Sequence, residues 1–258
     1  MNGLRRFVQE AWQSVGPRKL PELDPRLAAM ESVFRAPPLT PDLVAAIKLI
    51  SPHCDFEATE AHRRVWEADQ NGACWGEYEA LSPLFRSMPT PRTVLEIGPG
   101  MGRSLVFFSK KLGWEGSELH AYEGDGRSTR YTRLGPRFED SFCGNIEVLR
   151  SVLAFNGVSN VKVFNAQDVR LTDLAGPYDL LYSLYSIGFH WSLEHFLADL
   201  LRLLHDRSVA IFTVPQEFQP FPTLAALPYR IVDWKTAWPK DGQLKLLVIG
   251  KTTLPDWP

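Results

Sequence analysis

An α/β fold with a mostly parallel sheet is predicted by two features of the sequence. From residue 91 onward, short apolar runs alternate with stretches of helical periodicity. Strands that alternate with helices in this way form βαβ units, which place parallel strands between two layers of helices. Near the end of the chain the alternation stops, and two strand-like runs flank Lys240-Asp241-Gly242. Residues of this type join hairpins, so the sheet is expected to end with an antiparallel strand.

Seven runs are expected to be strands because they are short, apolar and bounded by turn residues. They cover residues 93–97, 119–122, 161–164, 178–184, 208–214, 230–234 and 244–249. Helices are expected at 104–112 and 141–155, each closed by a turn that contains glycine. Ser192 is the expected N-cap of a further helix, whose apolar face repeats as far as Leu204.

Residues 1–90 show a different pattern, in which prolines separate stretches of helical periodicity and no strand-like alternation occurs. The last of these stretches, residues 75–88, is expected to be a helix. Apolar residues at helical spacing in residues 4–15 predict an amphipathic helix and not a signal peptide. The chain is therefore expected to have a helical N-terminal extension, residues 1–90, and an α/β domain, residues 91–258.

Charge and cysteine content argue against several classes of partner. Lys and Arg total 28 against 30 Asp and Glu, so neither nucleic acid nor an anionic membrane is an expected partner. No apolar run reaches transmembrane length. Cys54, Cys74 and Cys143 are widely spaced and form no metal-binding motif, which is typical of thiols in a reducing cytoplasm. A cytoplasmic protein without a bound metal is therefore expected.

A glycine-rich segment, Glu96 to Gly102, lies between the first predicted strand and the helix after it. Glycines there allow a sharp turn and let a ligand approach the main chain, toward which the helix points its free N–H groups. The spacing is G-x-G-x-G, so Arg103 takes the place of the third glycine of the dinucleotide fingerprint. Glu96 suits a cationic ligand, and Glu123 at the end of the second strand can accept both hydroxyls of a ribose. A tight turn without a ligand is the alternative.

These residues resemble the motifs of class I methyltransferases, the S-adenosylmethionine-dependent family with a Rossmann-like fold. The family's first motif, E-x-G-x-G-x-G, matches Glu96 to Gly102, and its acidic residue after the second strand matches Glu123. A third motif matches Gln167-Asp168, and a fourth, which begins with an aromatic residue and Asp, matches residues 178–183. The likeness extends through the terminal hairpin and implies a seven-stranded sheet whose last strand is antiparallel.

The resemblance also implies a role for each matching residue. The expected cofactor-binding residues are Glu96, Gly98, Gly100, Gly102, Glu123, Gln167, Asp168 and Ser183. The glycine loop would hold the methionine part of S-adenosylmethionine, and Glu123 would hold its ribose. Asp168 would face the adenine amino group with Gln167 beside it, and a turn cap is the alternative for Asp168. Ser183 would lie under the cofactor at the end of the fourth strand.

His190 is the candidate catalytic residue. It follows the fourth predicted strand, at the edge where open α/β sheets bind their ligands. An imidazole can take the proton of a hydroxyl acceptor as a general base; packing of His190 and Trp191 in the turn is the alternative. Residues 184–191 and 214–218 follow the fourth and fifth strands, and Glu217 is their only acidic residue. A metal-assisted mechanism is therefore not expected.

A long segment, residues 124–145, links the second strand to its helix and carries four arginines. Loops of this length in compact domains are usually functional or disordered. The segment would be either a lid that holds polar or anionic groups of an acceptor, or a solvated charged loop. Residues 131–145 are also similar to bacterial sugar O-methyltransferases, over a short stretch of the chain.

The sequence thus predicts an S-adenosylmethionine-dependent methyltransferase that acts on a small molecule. O-methylation of a hydroxyl, in a sugar or a natural product, is the expected reaction, with S-adenosylhomocysteine as the product. Two alternatives stay open: a partner or scaffold protein that binds the cofactor without catalysis, and an NAD(P)-dependent oxidoreductase. The missing third glycine and the carboxylate of Glu96 argue against the oxidoreductase.

Overall fold

The residues described by the computed structural model are 75–100, 102–124, 146–184, 186–188, 191–234, 244–252 and 254. The helices among them are α1 (Trp75–Arg86), α2 (Arg103–Leu112), α3 (Ile146–Phe155), α4 (Leu193–Arg202) and α5 (Pro222–Ala225). The strands are β1 (Thr93–Ile97), β2 (Glu118–Glu123), β3 (Val161–Asn165), β4 (Tyr178–Ser183), β5 (Leu204–Val214), β6 (Tyr229–Trp234) and β7 (Leu244–Gly250).

The described strands form a seven-stranded sheet in the order β3-β2-β1-β4-β5-β7-β6. Every neighbouring pair from β3 to β5 is parallel, whereas β7 runs antiparallel to β5 on one side and to β6 on the other. The order reverses at β1, because β2 and β3 lie on one side of it and β4 and β5 on the other. This arrangement confirms the predicted Rossmann-like sheet, which is mostly parallel with an antiparallel last strand.

Helices cover both faces of the sheet, as the alternating pattern predicts. On one face, α1, α2 and α3 contribute Phe85, Phe108 and Leu149 to a core that also contains Tyr182 of β4. The ring centroids of Phe108 and Tyr182 lie 5.1 Å apart, nearly edge to face. On the other face, α4 packs a stripe of buried leucines against the sheet. Burial of these apolar side chains is the main force that holds the helices to the strands.

Element boundaries near β5 differ from those predicted. Helix α4 begins after its expected cap, Ser192, which accepts a hydrogen bond from His195 N, but it ends at Arg202. Leu204, expected on the apolar face of that helix, instead opens β5 and pairs with Tyr178. A buried leucine fits a helix and a strand equally well, so helical spacing alone placed the boundary wrongly. The short helix α5 lies where the sequence analysis expected no element.

The ends of the described chain agree with two further predictions. Helix α1 matches the helix expected at 75–88, although it stops at Arg86. Strands β6 and β7 pair in the register of a hairpin, and its expected turn, 240–242, lies outside the described residues. The rest of the predicted extension, residues 1–74, also lies outside them. Among the helices that the structure describes, none is long and apolar enough to cross a membrane.

Candidate functional site

The loop between β1 and α2 lies where the strand order of the sheet reverses. Strand β1 pairs with β2 on one side and with β4 on the other. The connections that follow strands on the two sides lead away in opposite directions, which opens a crevice at the carboxyl ends of the strands. Open α/β sheets bind their ligands in this crevice. The glycine loop, the end of β2 and the end of β4 all border it.

Two glycines of the loop have close neighbours on the side where a Cβ would lie. Gly98 and Gly102 have φ angles of 70° and 77°. A Cβ on Gly98 would overlap the side chain of Ser186, and one on Gly102 would lie 2.6 Å from Leu149 Cδ1 on α3. These glycines therefore allow the loop to pack closely between α3 and the connection after β4.

Glu123 ends β2 with its carboxylate turned onto the glycine loop. Its Oε2 accepts a hydrogen bond from Gly100 N at 2.8 Å, and its Oε1 accepts one from Gly124 N at 2.9 Å. Burial raises the pKa of Glu123 to about 8, against the effect of the two backbone hydrogen bonds and with a contribution from the charge of Glu96. The crevice thus contains a carboxyl group that can bind hydroxyl donors.

Glu96 lies beneath the loop, on the face of the sheet that α2 covers. Its carboxylate accepts hydrogen bonds from Ser104 Oγ in the first turn of α2 and from Tyr182 OH on β4, the latter at 2.8 Å. Only 1% of Glu96 is exposed, and burial raises its pKa to about 7 although both hydroxyls lower it. Glu96 therefore holds the loop from below, and a direct contact between it and a ligand stays a prediction.

The turn after β3 contains Gln167 and Asp168 and is held by Asn165. Asn165 Oδ1 accepts a hydrogen bond from Gln167 N at 2.9 Å, and Asn165 O accepts one from Asp168 N at 3.0 Å. The cap of this turn is therefore Asn165. Asp168 is exposed in the turn that follows β3, the position from which the resemblance expects it to reach an adenine. That contact stays a prediction for Gln167 and Asp168.

Ser183 joins the end of β1 to the connection after β4. It is fully buried, its Oγ donates to Ile97 O at 2.7 Å, and the same oxygen accepts from Ile187 N at 2.8 Å. The serine lies at the crevice as expected, with its hydroxyl proton committed to the backbone. Its predicted contact with a cofactor is untested.

The connection after β4 folds back on itself beside the crevice. Trp191 N donates to Ser186 O at 3.0 Å, and Gly188 N donates to Trp191 O at 2.8 Å. His190, the candidate base, lies outside the described residues. Its catalytic role stays a prediction.

Asp179, the acidic residue that matches the family's fourth motif, lies near the amino end of β4, on the side of the sheet opposite the crevice. Its carboxylate accepts hydrogen bonds from Arg92 N at 2.7 Å, from Thr93 N at 3.0 Å and from His205 Nε2 at 2.8 Å. Burial acts to raise the pKa of Asp179, but these hydrogen bonds outweigh it and leave the pKa below its usual value. Asp179 thus fastens the start of β1 to β4 and β5 and takes no part in the crevice.

The chain is similar to methyltransferases of known structure. Precorrin-6y C5,15-methyltransferase from Geobacter metallireducens GS-15 is 15% identical, with a TM-score of 0.44 over 68% of this chain and 87% of that one. A methyltransferase from Pyrococcus furiosus is 16% identical, with a TM-score of 0.47 over 69% and 82%. A SAM-dependent methyltransferase from Aquifex aeolicus is 14% identical, with a TM-score of 0.44 over 66% and 88%. The chain matches no family model and no curated protein sequence.

Sequence reasoning missed three residues of this region: Ser104, Tyr182 and Ser186. Tyr182 reaches Glu96 because the β1–β4 register places the two side by side, and no sequence pattern indicates that register. Ser104 is signalled only by its place in the first turn after the loop.

Within the described ranges, no three His, Cys, Asp or Glu side chains are grouped to hold a metal ion. The expected independence of metal stays a prediction.

Proposed function

We propose that this protein is an S-adenosylmethionine-dependent methyltransferase whose acceptor is a small molecule. One observation carries the proposal: the Gly100 N–H donates a hydrogen bond to the Glu123 carboxylate. This bond joins the end of β2 to the glycine loop at the point where the strand order of the sheet reverses. A nucleoside in this crevice would meet an acidic group at its ribose and, beyond it, glycine residues whose lack of side chains lets a ligand approach closely. S-adenosylmethionine has the hydroxyls and the cationic groups that such a site favours.

A dinucleotide with a pyrophosphate fits these residues less well. The carboxyl groups of Glu96 and Glu123 lie below and beside the loop. A pyrophosphate would add negative charge next to them, whereas the sulfonium and ammonium groups of S-adenosylmethionine are cationic. Gly102 is the N-cap of α2, and Arg103 follows where the dinucleotide fingerprint has its third glycine. We therefore favour the methyltransferase over an NAD(P)-dependent oxidoreductase.

The residues of the crevice suit different parts of this cofactor. Glu123 would accept hydrogen bonds from the ribose hydroxyls, and the main chain from Gly98 to Gly102 would hold the methionine part. Asp168, exposed after β3, would bind the adenine amino group. The cofactor supplies an electrophilic methyl group when bound. The protein's contribution is to align the acceptor with that group, which can account for most of the rate of an in-line transfer.

The acceptor that we propose is a hydroxyl of a sugar or a natural product. A hydroxyl must lose its proton as its oxygen attacks, and a nearby imidazole can take it. His190 is the candidate base, because it belongs to the connection that Ser186, Gly188 and Trp191 tie beside the crevice. The products would be the methyl ether and S-adenosylhomocysteine. No metal is needed for this chemistry.

Calorimetry with S-adenosylhomocysteine and with NADH tests the proposal. S-adenosylhomocysteine is expected to bind, and Glu123→Ala is expected to weaken it by a factor of tens, because charged hydrogen bonds to the ribose contribute about 2–3 kcal/mol. Glu194→Ala, an exposed change on α4, is the control and is expected to leave affinity within about twofold. Preference for NADH, or unchanged affinity in a folded Glu123→Ala, would overturn the proposal.

Turnover separates an enzyme from a partner that only binds the cofactor. Transfer of a labelled methyl group to a panel of sugars and natural-product alcohols is the measurement. His190→Ala is expected to keep cofactor affinity within a few-fold and to lower turnover by about 10²–10⁴-fold, the usual contribution of a general base. Retained turnover in His190→Ala would assign that residue to packing.

A further inference from the structure

The glycine loop meets α3 at Gly102, the last residue of the loop. A Cβ on Gly102 would lie 2.6 Å from Leu149 Cδ1 and 3.1 Å from Leu153 Cδ2. Only 0% of Leu149 and 3% of Leu153 is exposed, and Gly102 is buried as well. The ends of these two leucine side chains therefore lie directly against the main chain of the loop.

The junction between the loop and α2 is held by backbone bonds and by this packing. Gly102 is the N-cap of α2, and a glycine lacks the side-chain oxygen with which serine, threonine or aspartate ties a loop to the first turn of a helix. Gly102 N donates to Pro99 O at 2.8 Å, and Val106 N donates to Gly102 O at 3.0 Å. The leucines of α3 supply the side-chain packing that a capping residue does not supply here.

The same turn carries the backbone N–H that bonds Glu123. The bond from Gly102 N to Pro99 O closes the turn around Gly100, whose own N–H donates to Glu123 Oε2 at 2.8 Å. Gly100 and Gly102 have φ angles of 58° and 77°, a region that glycine enters and leaves at little cost. A shift of Gly102 would therefore also shift Gly100, because only one residue separates them.

We propose that Leu149 and Leu153 are positioning residues of the cofactor site, which pack α3 against Gly102 and so keep the Gly100 N–H in place beside Glu123. They act through the loop and not by touching the ligand, since both lie buried in the core behind it. A binding loop that is already held in one conformation loses less freedom when a ligand binds, which raises affinity. The inference rests on the proposed function, because it takes the cofactor to bind at the glycine loop and Glu123.

Valine substitutions withdraw these side chains from Gly102 with a small loss of core volume, because valine has a shorter side chain than leucine. Each variant of the full chain is measured by hydrogen exchange of the Gly100 N–H, without ligand, and by calorimetry with S-adenosylhomocysteine. Leu149→Val is expected to speed that exchange about tenfold and to weaken binding about fivefold to tenfold, the effect of one hydrogen bond to a charged group. Leu153→Val is expected to show smaller changes of the same kind, because its nearest atom lies farther from Gly102.

Two control variants separate positioning from stability. Val152 is fully buried on the same helix and in the same core, but its atoms lie farther from the Cβ position of Gly102 than those of the two leucines. Val152→Ala removes more of its side chain than Leu149→Val does, yet it is expected to leave both measurements within about twofold, because the loop opens locally. Leu149→Met keeps a long apolar side chain of similar volume and is expected to retain both values.

The two measurements also distinguish failure of the inference from failure of the proposed function. Unchanged exchange in Leu149→Val, or faster exchange without weaker binding, overturns the inference and leaves the proposed function standing. Equal effects in Val152→Ala overturn it as well, because the leucines would then act only through overall stability. An unchanged protein that does not bind S-adenosylhomocysteine overturns both.

Discussion

At the scale of single residues, the role proposed for Glu123 is expected to couple ligand binding to the release of a proton. A buried carboxyl group is protonated more easily than one in water because its ionised form loses hydration. With a pKa of about 8, Glu123 is largely protonated at neutral pH in the unliganded protein. Two hydroxyls that donate to the same carboxyl group favour its ionised form, which accepts both. Under the proposed function, binding therefore releases a proton.

Affinity for S-adenosylhomocysteine is expected to rise with pH up to about 8 and then level off, because Glu123 is already ionised above that pH in the free protein. Calorimetry across this range gives the Kd, and repetition in buffers of different ionisation enthalpy gives the protons released. Glu123→Gln removes the titrating group, so it is expected to bind weakly with a flat profile. An affinity that falls as pH rises toward 8 would contradict the assignment.

Gly102 and Gly157 are a matched pair for testing how tightly the glycine loop is packed. Their φ angles are 77° and 66°, but a Cβ would meet Leu149 and Leu153 at Gly102 and nothing within 4 Å at Gly157. Gly157→Ala is expected to lower the free energy of unfolding by about 1 kcal/mol, the cost of a left-handed alanine. Gly102→Ala is expected to lower the free energy of unfolding by about 2–4 kcal/mol, because overpacking against the two leucines adds to the cost of the left-handed alanine. Urea denaturation measures both, and equal losses would show that α3 yields to the added methyl.

At the scale of elements, the sequence pattern predicts where strands end but not how neighbouring strands are aligned in register. The apolar run before Gly98 predicted β1 with its observed bounds. The second apolar run correctly predicted that Glu123 lies at the end of β2. Contacts between Glu96 and Tyr182, or between Gly98 and Ser186, depend on how β4 and its connection lie against β1. A single sequence carries no signal for such distant pairings, and these contacts could only be found in three dimensions.

Strand β5 contains two buried hydroxyls with opposite surroundings. Ser208 Oγ donates to Tyr178 O and accepts from His205 N, whereas Thr213 Oγ1 is buried without a hydrogen-bond partner in the described structure. Thr213→Val replaces that hydroxyl with a methyl group of similar size and is expected to raise the free energy of unfolding by about 1 kcal/mol.

Ser208→Ala is the matched comparison on the same strand. It removes both bonds of the hydroxyl and leaves Tyr178 O without that donor, so it is expected to lower the free energy of unfolding by about 1–3 kcal/mol. Urea denaturation of the two variants and the unchanged protein decides the matter. A loss of stability in Thr213→Val would mean that the Thr213 hydroxyl forms a hydrogen bond in the folded protein.

At the scale of the whole molecule, two buried carboxyl groups are expected to make stability depend on pH. Glu96 and Glu123 have pKa values of about 7 and about 8, against 4.5 when unfolded, so between these values the folded chain binds more protons. Stability therefore falls as pH rises through this range. His120 acts in the opposite sense: burial lowers its pKa below 6.5, so its contribution to stability is lost as pH falls below that value.

The two carboxyl groups are expected to dominate, because both of their pKa values shift by two units or more. The free energy of unfolding of the unliganded protein is expected to decrease from about pH 5 to about pH 8. Glu96→Gln combined with Glu123→Gln removes both groups and is expected to flatten the profile. Guanidinium denaturation at several pH values measures it. A stability that rises steadily over this interval would show that these carboxyl groups are better solvated than their surroundings imply.

The clamp formed by Asp179 has a consequence for how the protein tolerates change. It fastens Arg92, Thr93 and His205 at the amino edge of the sheet, while the crevice lies at the carboxyl edge. Substitutions at the clamp should reduce the amount of intact protein without altering the affinity of the molecules that remain folded. Substitution of an exposed residue beside the crevice, such as Asp168, should change which ligand is recognised without dismantling the scaffold. Stability of the fold and specificity for the ligand then depend on different residues. Selection or design can therefore alter one of these properties while keeping the other.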